Sequence, residues 1–356
     1  MRVAIVGGGI NGICSAWALA RRGHQVDLFE SGQLVRATSS ASSKLLHGGL
    51  RYLEHGEFRL VREALRERRW WIDRAPHLAR RLTLLLPIYR HSRRPRWLVK
   101  MGLATYDLLA GRSGLGRHRW LSLAELEQTS PELRQEGLLG AYRFFDGQMD
   151  DLRLGLWAAE QARNAGVTIH EHCRILKVTT RGGLRHQNGE VEYDRIVNVA
   201  GPWAESLLNE SGIDHRFKLD LVRGSHLLIE GRLDNGFLLE TGVDQRIFFV
   251  LPYGEQTLIG TTEVRQSLDD PIVCSAAEQD YLLTAYNRYF SRPIKADDIV
   301  RTFAGVRPLI HSADDPSSVS REYRITRNGR LVTVYGGKWT TARALGEQVA
   351  NVSERP

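Results

Sequence analysis

A short, continuous run of apolar residues marks the beginning of the chain. Residues 3–6 form this run, which is typical of a strand that is buried on both faces, and residues 25–29 predict a second strand. The residues between them predict a helix that extends to about Arg22 and ends at Gly23. This strand–helix–strand order predicts the start of a parallel sheet covered by helices.

Further along, helices and strands first alternate, and then strands follow one another directly. Helices are predicted at 57–71 and 150–165, and strands at 167–170, 175–178 and 195–199. Between 217 and 262 the pattern indicates strands alone, at 225–229, 246–251 and 257–262. The last predicted elements are a helix at 275–289, a strand at 331–335 and a helix from about 340. The predicted fold class is α/β (α+β overall), with an antiparallel sheet that roofs a substrate pocket.

Length and cysteine content restrict the class of protein. A chain of 356 residues is long for one domain and sufficient for two. The three cysteines (Cys14, Cys173 and Cys274) are scattered and odd in number, which argues for a reducing compartment and against a disulfide scaffold or a metal site. The first strand follows only two residues, so we predict no signal peptide, and no run approaches the roughly 18 apolar residues of a spanning helix. We therefore expect a cytoplasmic protein.

The net charge of +8 is concentrated in one segment, residues 80–119, which contains ten Arg or Lys and a single acid, Asp107. Aliphatic and aromatic residues accompany these cations, which makes the segment a candidate contact for an anionic membrane surface. The alternatives are a solvated charged face and a nucleic-acid contact. The accompanying apolar residues favour the membrane, on its inner face, and we predict no nucleic-acid partner.

The first predicted turn carries a dinucleotide-binding pattern. Gly7, Gly9 and Gly12 have the spacing G-x-G-x-x-G between the first strand and the helix, and Glu30 ends the second strand. Glycines allow a tight turn and close approach of a pyrophosphate to the helix N-terminus, while the carboxylate accepts hydrogen bonds from ribose hydroxyls. Because strand, helix and acid are all in place, the pattern predicts a dinucleotide site.

A stretch of small residues and glycines, SSASSKLLHGGLRYLE at 39–54, follows this unit. Small side chains let a backbone lie almost in contact with a flat ligand. The alternative is a Ser-rich surface loop that leads into a basic helix. FAD and NAD share the glycine pattern, but the flavin ring lies far from the ribose and needs a second protein surface. This stretch supplies one, so FAD is favoured over a nicotinamide cofactor.

Several blocks of the sequence resemble the FAD-dependent glycerol-3-phosphate dehydrogenases, members of the D-amino-acid-oxidase-like flavoprotein superfamily. The blocks are SSASSKLLHGGLRYLEHGEFRLVREAL at 39–65, DDLRL at 150–154, NVAGPWA at 198–204, VRGSHLLI at 222–229, FFVLPYGEQTLIGTTE at 248–263, GVRPL at 305–309, SREY at 320–323 and GGKWTTAR at 336–343. The resemblance extends over nearly the whole chain.

The resemblance implies a fold and an activity. The fold would be a Rossmann-like FAD-binding domain of the glutathione-reductase/D-amino-acid-oxidase type (1–79, 145–205 and 302–356) with an inserted antiparallel-sheet substrate domain (80–144 and 206–301). The activity would be oxidation of sn-glycerol 3-phosphate to dihydroxyacetone phosphate, with hydride transfer to flavin N5. Electrons would then pass to a quinone or similar acceptor.

The resemblance also assigns roles to residues inside the matching blocks. His226 is the candidate general base, with a structural hydrogen-bonding role as the alternative. A cationic pocket would bind the phosphate and stabilise the alkoxide, and its members are Arg51, Arg307, Arg321 and Lys338, with Tyr52 beside Arg51. The implied cofactor contacts are Gly7, Gly9, Gly12, Glu30, Ser39, Ser43, His47, Gly48, Ile175, Gly201, Gly337 and Lys338.

The chain departs from the resembled family at its end, which lies 18 residues beyond Lys338. Members of that family usually carry a further C-terminal domain, and we expect it to be missing here. Two other functions stay open: a superfamily oxidase that acts on an amine or 2-hydroxy acid with oxygen as acceptor, and a flavin-binding protein without turnover.

Overall fold

The computed structural model describes residues 1–242, 244, 246–311 and 323–355. The strands are β1 (Arg2–Val6), β2 (Gln25–Phe29), β3 (Leu45–Leu46), β4 (Ala79–Tyr89), β5 (Arg119–Leu121), β6 (Leu138–Met149), β7 (Val167–His170), β8 (Ile175–Val178), β9 (Gly183–His186), β10 (Gly189–Glu192), β11 (Arg195–Asn198), β12 (Leu219–Glu230), β13 (Gly236–Glu240), β14 (Ile247–Tyr253), β15 (Gln256–Gly260), β16 (Val264–Arg265), β17 (Ile299–Ile310), β18 (Arg324–Asn328) and β19 (Leu331–Tyr335). The α-helices are α1 (Ile10–Arg21), α2 (Phe58–Arg74), α3 (Arg96–Ala110), α4 (Leu123–Thr129), α5 (Asp151–Asn164), α6 (Ala204–Glu210), α7 (Ala276–Tyr289) and α8 (Ala342–Ser353).

The N-terminal strand lies in a mostly parallel sheet. Within the described part of the chain this sheet has six strands in the order β18-β19-β11-β1-β2-β7. Val3 and Ile5 of β1 pack against α1 and α8, whereas Ala4 and Val6 face β8, β9 and α6 on the other side. Both faces of β1 are therefore buried, which explains its continuous apolar run.

The carboxyl ends of the parallel strands deliver the predicted cofactor residues to one edge of this sheet. β1 runs into Gly7, β2 into Glu30, and β19 into Gly337. In open α/β sheets ligands bind in the crevice beyond the carboxyl ends of the strands, so this edge is where a dinucleotide is expected.

A second, larger sheet covers that edge. Its order is β16-β12-β15-β14-β13-β4-β6-β3, with β17 paired to β12 and β5 to β6, and all pairs are antiparallel except β13 with β4. One face packs against α4 and α7, and the opposite face packs against α3. The predicted antiparallel sheet is thus present. The division into domains stays a proposal, and β6 and β17 cross the proposed boundaries at 145 and 302.

The basic segment 80–119 includes most of strand β4 and the whole of helix α3, which have different surroundings. Leu82, Leu84 and Ile88 of β4 are buried in the larger sheet, so the interpretation of the whole segment as a surface contact is wrong for this strand. Helix α3 differs, because Trp97, Met101 and Leu108 are 62%, 58% and 80% exposed. Only α3 is therefore available as an apolar surface in this segment.

Candidate functional site

A cavity of about 1580 Å³ lies between the two sheets. Its wall includes the turn after β1, the small-residue stretch at 39–43, the 3₁₀ helix Leu50–His55, one face of the larger sheet, and the turn after β19. Ligand pockets commonly have about 300–1,000 Å³. This cavity therefore has room for more than one small molecule.

The glycine turn fits a ligand that approaches the backbone closely. Gly7 has φ +116°, and a Cβ there would lie 2.5 Å from the carbonyl oxygen of Val199. A Cβ on Gly12 would lie 1.9 Å from the carbonyl oxygen of Gly7. Gly9 caps α1 in an extended conformation and lines the cavity. The N-terminus of α1 is therefore open to a pyrophosphate.

Glu30 is held rigidly at the end of β2. Its Oε2 accepts a hydrogen bond from the amide of Gly8 at 2.7 Å, and its Oε1 accepts one from the amide of Gly32 at 2.9 Å. The carboxylate lies in the cavity wall, where it can also accept from a ribose hydroxyl.

Ser39 joins the small-residue stretch to the glycine turn. Its Oγ accepts from the amide of Ile10 at 3.0 Å, and its carbonyl oxygen accepts from the indole N–H of Trp339 at 2.9 Å. Thr38 donates to the carbonyl oxygen of Val306 at 2.7 Å. Residues far apart in the sequence thus fix this stretch against the dinucleotide edge.

A buried ion pair between Lys44 and Asp151 holds the small-residue stretch at 39–43 in place. The sequence did not indicate this pair. The ammonium group of Lys44 donates to Asp151 Oδ1 and to the carbonyl oxygen of Ser40, both at 2.7 Å. Ser42 Oγ donates to the other carboxylate oxygen at 2.7 Å. Lys44 also has φ +58°, a strained conformation for a side chain with a Cβ. Lys44 is therefore buried and paired with Asp151.

Ser43 and His226 form a pair between the cavity and the interior. Ser43 lines the cavity and its Oγ lies 2.9 Å from Nε2 of His226, whereas His226 is 1% exposed and stacks on Phe303. Burial, together with the charges of Arg307 and Lys44, holds the pKa of His226 well below its ordinary value. The imidazole is therefore neutral near pH 7 and reaches the cavity only through the Ser43 hydroxyl.

The predicted substrate residues line one cavity. Arg51, Tyr52, Arg307 and Lys338 all contribute to its wall. The Lys338 ammonium lies 4.0 Å above the Tyr52 ring, and its Nζ is buried with no hydrogen-bond partner among the described residues. Arg307 donates to Thr261 Oγ1 at 3.0 Å. Arg321 lies outside the described residues.

The remaining predicted cofactor residues lie in two different environments. His47, Ile175, Gly201 and Gly337 line the cavity, and a Cβ on Gly337 would lie 2.4 Å from Nδ2 of Asn11. Gly48 does not line it. Instead, its amide donates to the buried side chains of Tyr106 and Asp146, so it is an anchoring point of the wall.

Part of the cavity is apolar. Side chains on one face of the larger sheet (Leu84, Leu86, Phe144, Leu238 and Phe249) point into it. Leu98 and Met101 of α3 also line the cavity, and both are partly exposed at the surface. This apolar part is therefore continuous with the exposed side of α3.

The site fits a flavin dinucleotide on its own geometry. Gly7 and Gly12 leave no space for Cβ atoms, Glu30 is fixed in the cavity wall at the end of β2, and the small-residue stretch lines the same cavity. The side-chain oxygen of Asn11, beside the turns at Gly9 and Gly337, is buried without a hydrogen-bond partner among the described residues.

Comparison with known proteins agrees with this geometry. Residues 2–352 match the model of the family described as FAD dependent oxidoreductase. The chain is 38% identical to a glycerol-3-phosphate dehydrogenase of Pseudomonas tolaasii over 97% of its length and 70% of that protein. It is 38% identical to a D-erythritol 1-phosphate dehydrogenase of Brucella abortus, over 97% of its length and 72% of that protein.

A solved structure gives the same result for the fold. The glycerol-3-phosphate dehydrogenase from Bacillus halodurans, complexed with FAD, superimposes with a TM-score of 0.79 at 26% identity. The match covers 99% of this chain and 64% of that one, so the chain spans less than two thirds of that protein. The predicted fold class and the predicted FAD cofactor are confirmed. The chain belongs to the FAD dependent oxidoreductase family.

Proposed function

We propose that the protein oxidises sn-glycerol 3-phosphate to dihydroxyacetone phosphate. The observation that carries this proposal is the buried ammonium of Lys338, which has no hydrogen-bond partner among the described residues and shares the cavity wall with Arg51 and Arg307. Several fixed cations around one pocket suit a phosphate dianion better than a single carboxylate, which one Arg could hold. Relatives that act on phosphorylated polyols support the same substrate class.

The cofactor contacts follow from the position of each residue. Gly7, Gly9 and Gly12 would hold the pyrophosphate at the start of α1, and Glu30 would accept from the ribose. Ser39, Ser43, His47, Ile175, Gly201, Gly337 and Lys338 would surround the rest of the cofactor, with Gly48 acting from behind the wall. The bound flavin supplies the hydride acceptor, at N5.

The substrate contacts combine charge and proton transfer. Arg51, Tyr52, Arg307 and Lys338 would bind the phosphate and hold the developing alkoxide, together with Arg321 from outside the described residues. His226 would accept the hydroxyl proton through Ser43, since the serine lies between the imidazole and the cavity.

An anaerobic titration tests the substrate. Glycerol 3-phosphate should bleach the flavin absorbance, whereas glycerol and amino acids should not. Arg307→Gln should keep its FAD and need roughly 10–100-fold more glycerol 3-phosphate, because a charge-assisted hydrogen bond contributes about 1.5–3 kcal/mol. Bleaching by an amine or 2-hydroxy acid instead would support an oxidase, and bleaching by no donor would support a flavin-binding protein without turnover.

The apolar part of the cavity suits a lipid-soluble electron acceptor. Its lining on the larger sheet is aliphatic and aromatic, and Leu98 and Met101 of α3 connect it to the surface. We propose that a quinone enters between the sheet and α3. Stopped-flow reoxidation by a short-chain quinone should be much faster than reoxidation by oxygen if this route operates.

Helix α3 would then be the membrane contact. None of the helices built from the described residues is long and apolar enough to cross a membrane. The exposed Trp97, Met101 and Leu108, with the exposed Arg96 and Lys100, would lie in the interface of an anionic membrane. This narrows the predicted contact from residues 80–119 to residues 96–110.

Liposome flotation tests this contact. Replacing Trp97 and Leu108 together by Ser should lower the membrane-bound fraction roughly tenfold or more, because burial of each side chain contributes about 1.5–3 kcal/mol. Anionic vesicles should bind the unchanged protein better than neutral ones. The matched control replaces Ile272 and Val273, which are exposed elsewhere, by Ser. Equal binding by both double variants would rule out α3.

A further inference from the structure

Three buried polar side chains from three different elements hydrogen-bond to one another beside the cavity, and two of them hold one backbone amide. They are Arg68 of α2, Tyr106 of α3 and Asp146 of β6, exposed by 1%, 2% and 3%. The amide of Gly48 donates to Asp146 Oδ1 and to the Tyr106 hydroxyl oxygen, both at 3.0 Å. We call these three side chains the Gly48 clamp.

The three side chains of the clamp hydrogen-bond to one another, and Nε of Arg68 is the atom left without a partner among the described residues. Arg68 donates to Asp146 Oδ1 at 2.7 Å and to the carbonyl oxygen of Phe145 at 3.2 Å. The Tyr106 hydroxyl donates to the carboxylate of Asp146 at 3.1 Å, and burial raises the pKa of Tyr106 well above its ordinary value, so it stays protonated. A buried charge pair holds one geometry strongly, since loss of either partner leaves an uncompensated charge.

Gly48 itself has no freedom to move toward the clamp. A Cβ at this position would lie 2.2 Å from the Tyr106 hydroxyl oxygen and 2.4 Å from Cδ2 of Leu65. The backbone at Gly48 therefore packs directly against the side chains of α2 and α3, which fix its position behind the cavity wall.

The residues next to Gly48 line the cavity and include proposed contacts to the cofactor and to the substrate. His47 precedes it, and Arg51 and Tyr52 follow in the 3₁₀ helix Leu50–His55, each residue of which is half-buried or exposed. This helix has little burial of its own to hold it in place. Its position thus depends on the anchor at Gly48 and on contacts with α2 and α3.

We propose that the Gly48 clamp positions His47, Arg51 and Tyr52 for reaction with the substrate. Arg68 and Tyr106 do not line the cavity, whereas Asp146 does. Arg68 holds Asp146 in place, and Asp146 and Tyr106 act through the amide of Gly48. The proposal rests on the proposed function only for the identity of the substrate, because the anchoring geometry does not depend on it.

The decisive variant is Tyr106→Phe. It keeps the ring and its edge contact with Phe144, and it removes the hydroxyl that holds Gly48. We expect FAD content to be unchanged, the KM for glycerol 3-phosphate to rise about tenfold, and the amide of Gly48 to exchange its hydrogen about tenfold faster. Amides of the parallel sheet should exchange as before.

A buried pair on the same helix provides the matched control. Glu67 neighbours Arg68 on α2, is fully buried, and pairs with Arg343 of α8, away from Gly48. Glu67→Gln should lower the melting temperature without changing the KM or the exchange of the Gly48 amide.

Two outcomes would overturn the proposal. One is a Tyr106→Phe protein that loses thermal stability while the KM and the Gly48 exchange stay at their original values. The other is an equal change of both readouts in Glu67→Gln. If glycerol 3-phosphate fails to bleach the unchanged protein, the proposed function fails, while hydrogen exchange at Gly48 still decides the clamp. Should Tyr106→Phe not retain FAD, Arg68→Lys, which keeps the charge, takes its place.

Discussion

A Gly12→Ala variant should purify as a colourless protein. The added Cβ would lie 1.9 Å from the carbonyl oxygen of Gly7 and 3.1 Å from its carbonyl carbon, and both are backbone atoms. The turn must open to accept it, which moves the N-terminus of α1 away from the pyrophosphate. We expect a cost of about 3 kcal/mol, which corresponds to roughly a hundredfold loss of FAD affinity. Two measurements test this loss of affinity: the ratio of flavin to protein absorbance, and calorimetric titration of FAD into protein from which the FAD has been removed.

The other end of the same helix provides the control. Gly23 has φ +82°, and a Cβ there would meet no atom within 4 Å. Gly23→Ala should therefore cost about 1 kcal/mol of folding free energy and leave the FAD affinity unchanged. A yellow Gly12→Ala protein with full FAD affinity would show that the turn does not hold the pyrophosphate.

The dinucleotide edge was predictable because its determinants are local. The strand, the glycines and the acid all lie within the first thirty residues, and β2 spans the predicted residues while α1 ends within one residue of its predicted end. Glycine was required at Gly7 and Gly12 by contacts with backbone that is close in space. The strand, the glycines and the acid therefore all indicate the same dinucleotide-binding turn in the sequence.

Strands β4 and β6 were not predicted as strands, and the reason is physical. After Ala79, β4 carries two exposed arginines and then a mostly apolar run that includes Thr83, so the charges suggested a surface segment. β4 pairs with β6, whose partner residues lie 49 to 70 positions away. The pattern of polar and apolar residues within β4 does not indicate a partner strand that is so distant in the sequence.

Buried polar pairs were the least predictable part of the site. Lys44 and Asp151 are 107 positions apart, and Arg68 and Asp146 are 78 apart. An acid inside the apolar run of β6 was the available signal for Asp146, since a buried carboxylate needs a partner. The partner's identity depends on how α2 and α3 pack on the sheet, which the sequence alone does not state.

The role of His226 was inferred from resemblance, and the structure changes how it would act. The imidazole is buried on β12 and approaches the cavity through a hydroxyl 183 positions away, that of Ser43. The resemblance implied a general base, with a structural hydrogen-bonding role as the alternative. The arrangement instead predicts a relay, in which substrate, Ser43 and His226 form one line for the proton.

Replacing either member of this relay should slow flavin reduction strongly. His226→Gln should lower the rate constant for reduction by glycerol 3-phosphate about 10²–10⁴-fold, the usual contribution of a general base, with FAD content unchanged. Ser43→Ala should cause a similar loss. The double variant should be little slower than either single one, because both changes interrupt the same path. Anaerobic stopped-flow measurement of the flavin absorbance gives these rates.

The pH dependence provides the sharper test of the same relay. Because burial, Arg307 and Lys44 keep the pKa of His226 well below its ordinary value, the imidazole can accept a proton throughout the neutral range. The reduction rate should fall only as the pH drops through that lowered pKa. Arg307→Gln removes one of the positive charges that oppose protonation of His226. The pKa of His226 should therefore rise, and the acid limb of the pH–rate profile should move to higher pH.

Ser40→Ala is the matched control, since Ser40 lies in the same stretch and its hydroxyl donates to Ala37, away from His226. It should reduce at the original rate. If Ser43→Ala and His226→Gln also keep that rate while His47→Asn loses it, the base is the imidazole that lines the cavity directly. The relay then has no part in proton transfer, and the buried pair of Ser43 and His226 serves only to fix the stretch at 39–43 beneath the larger sheet.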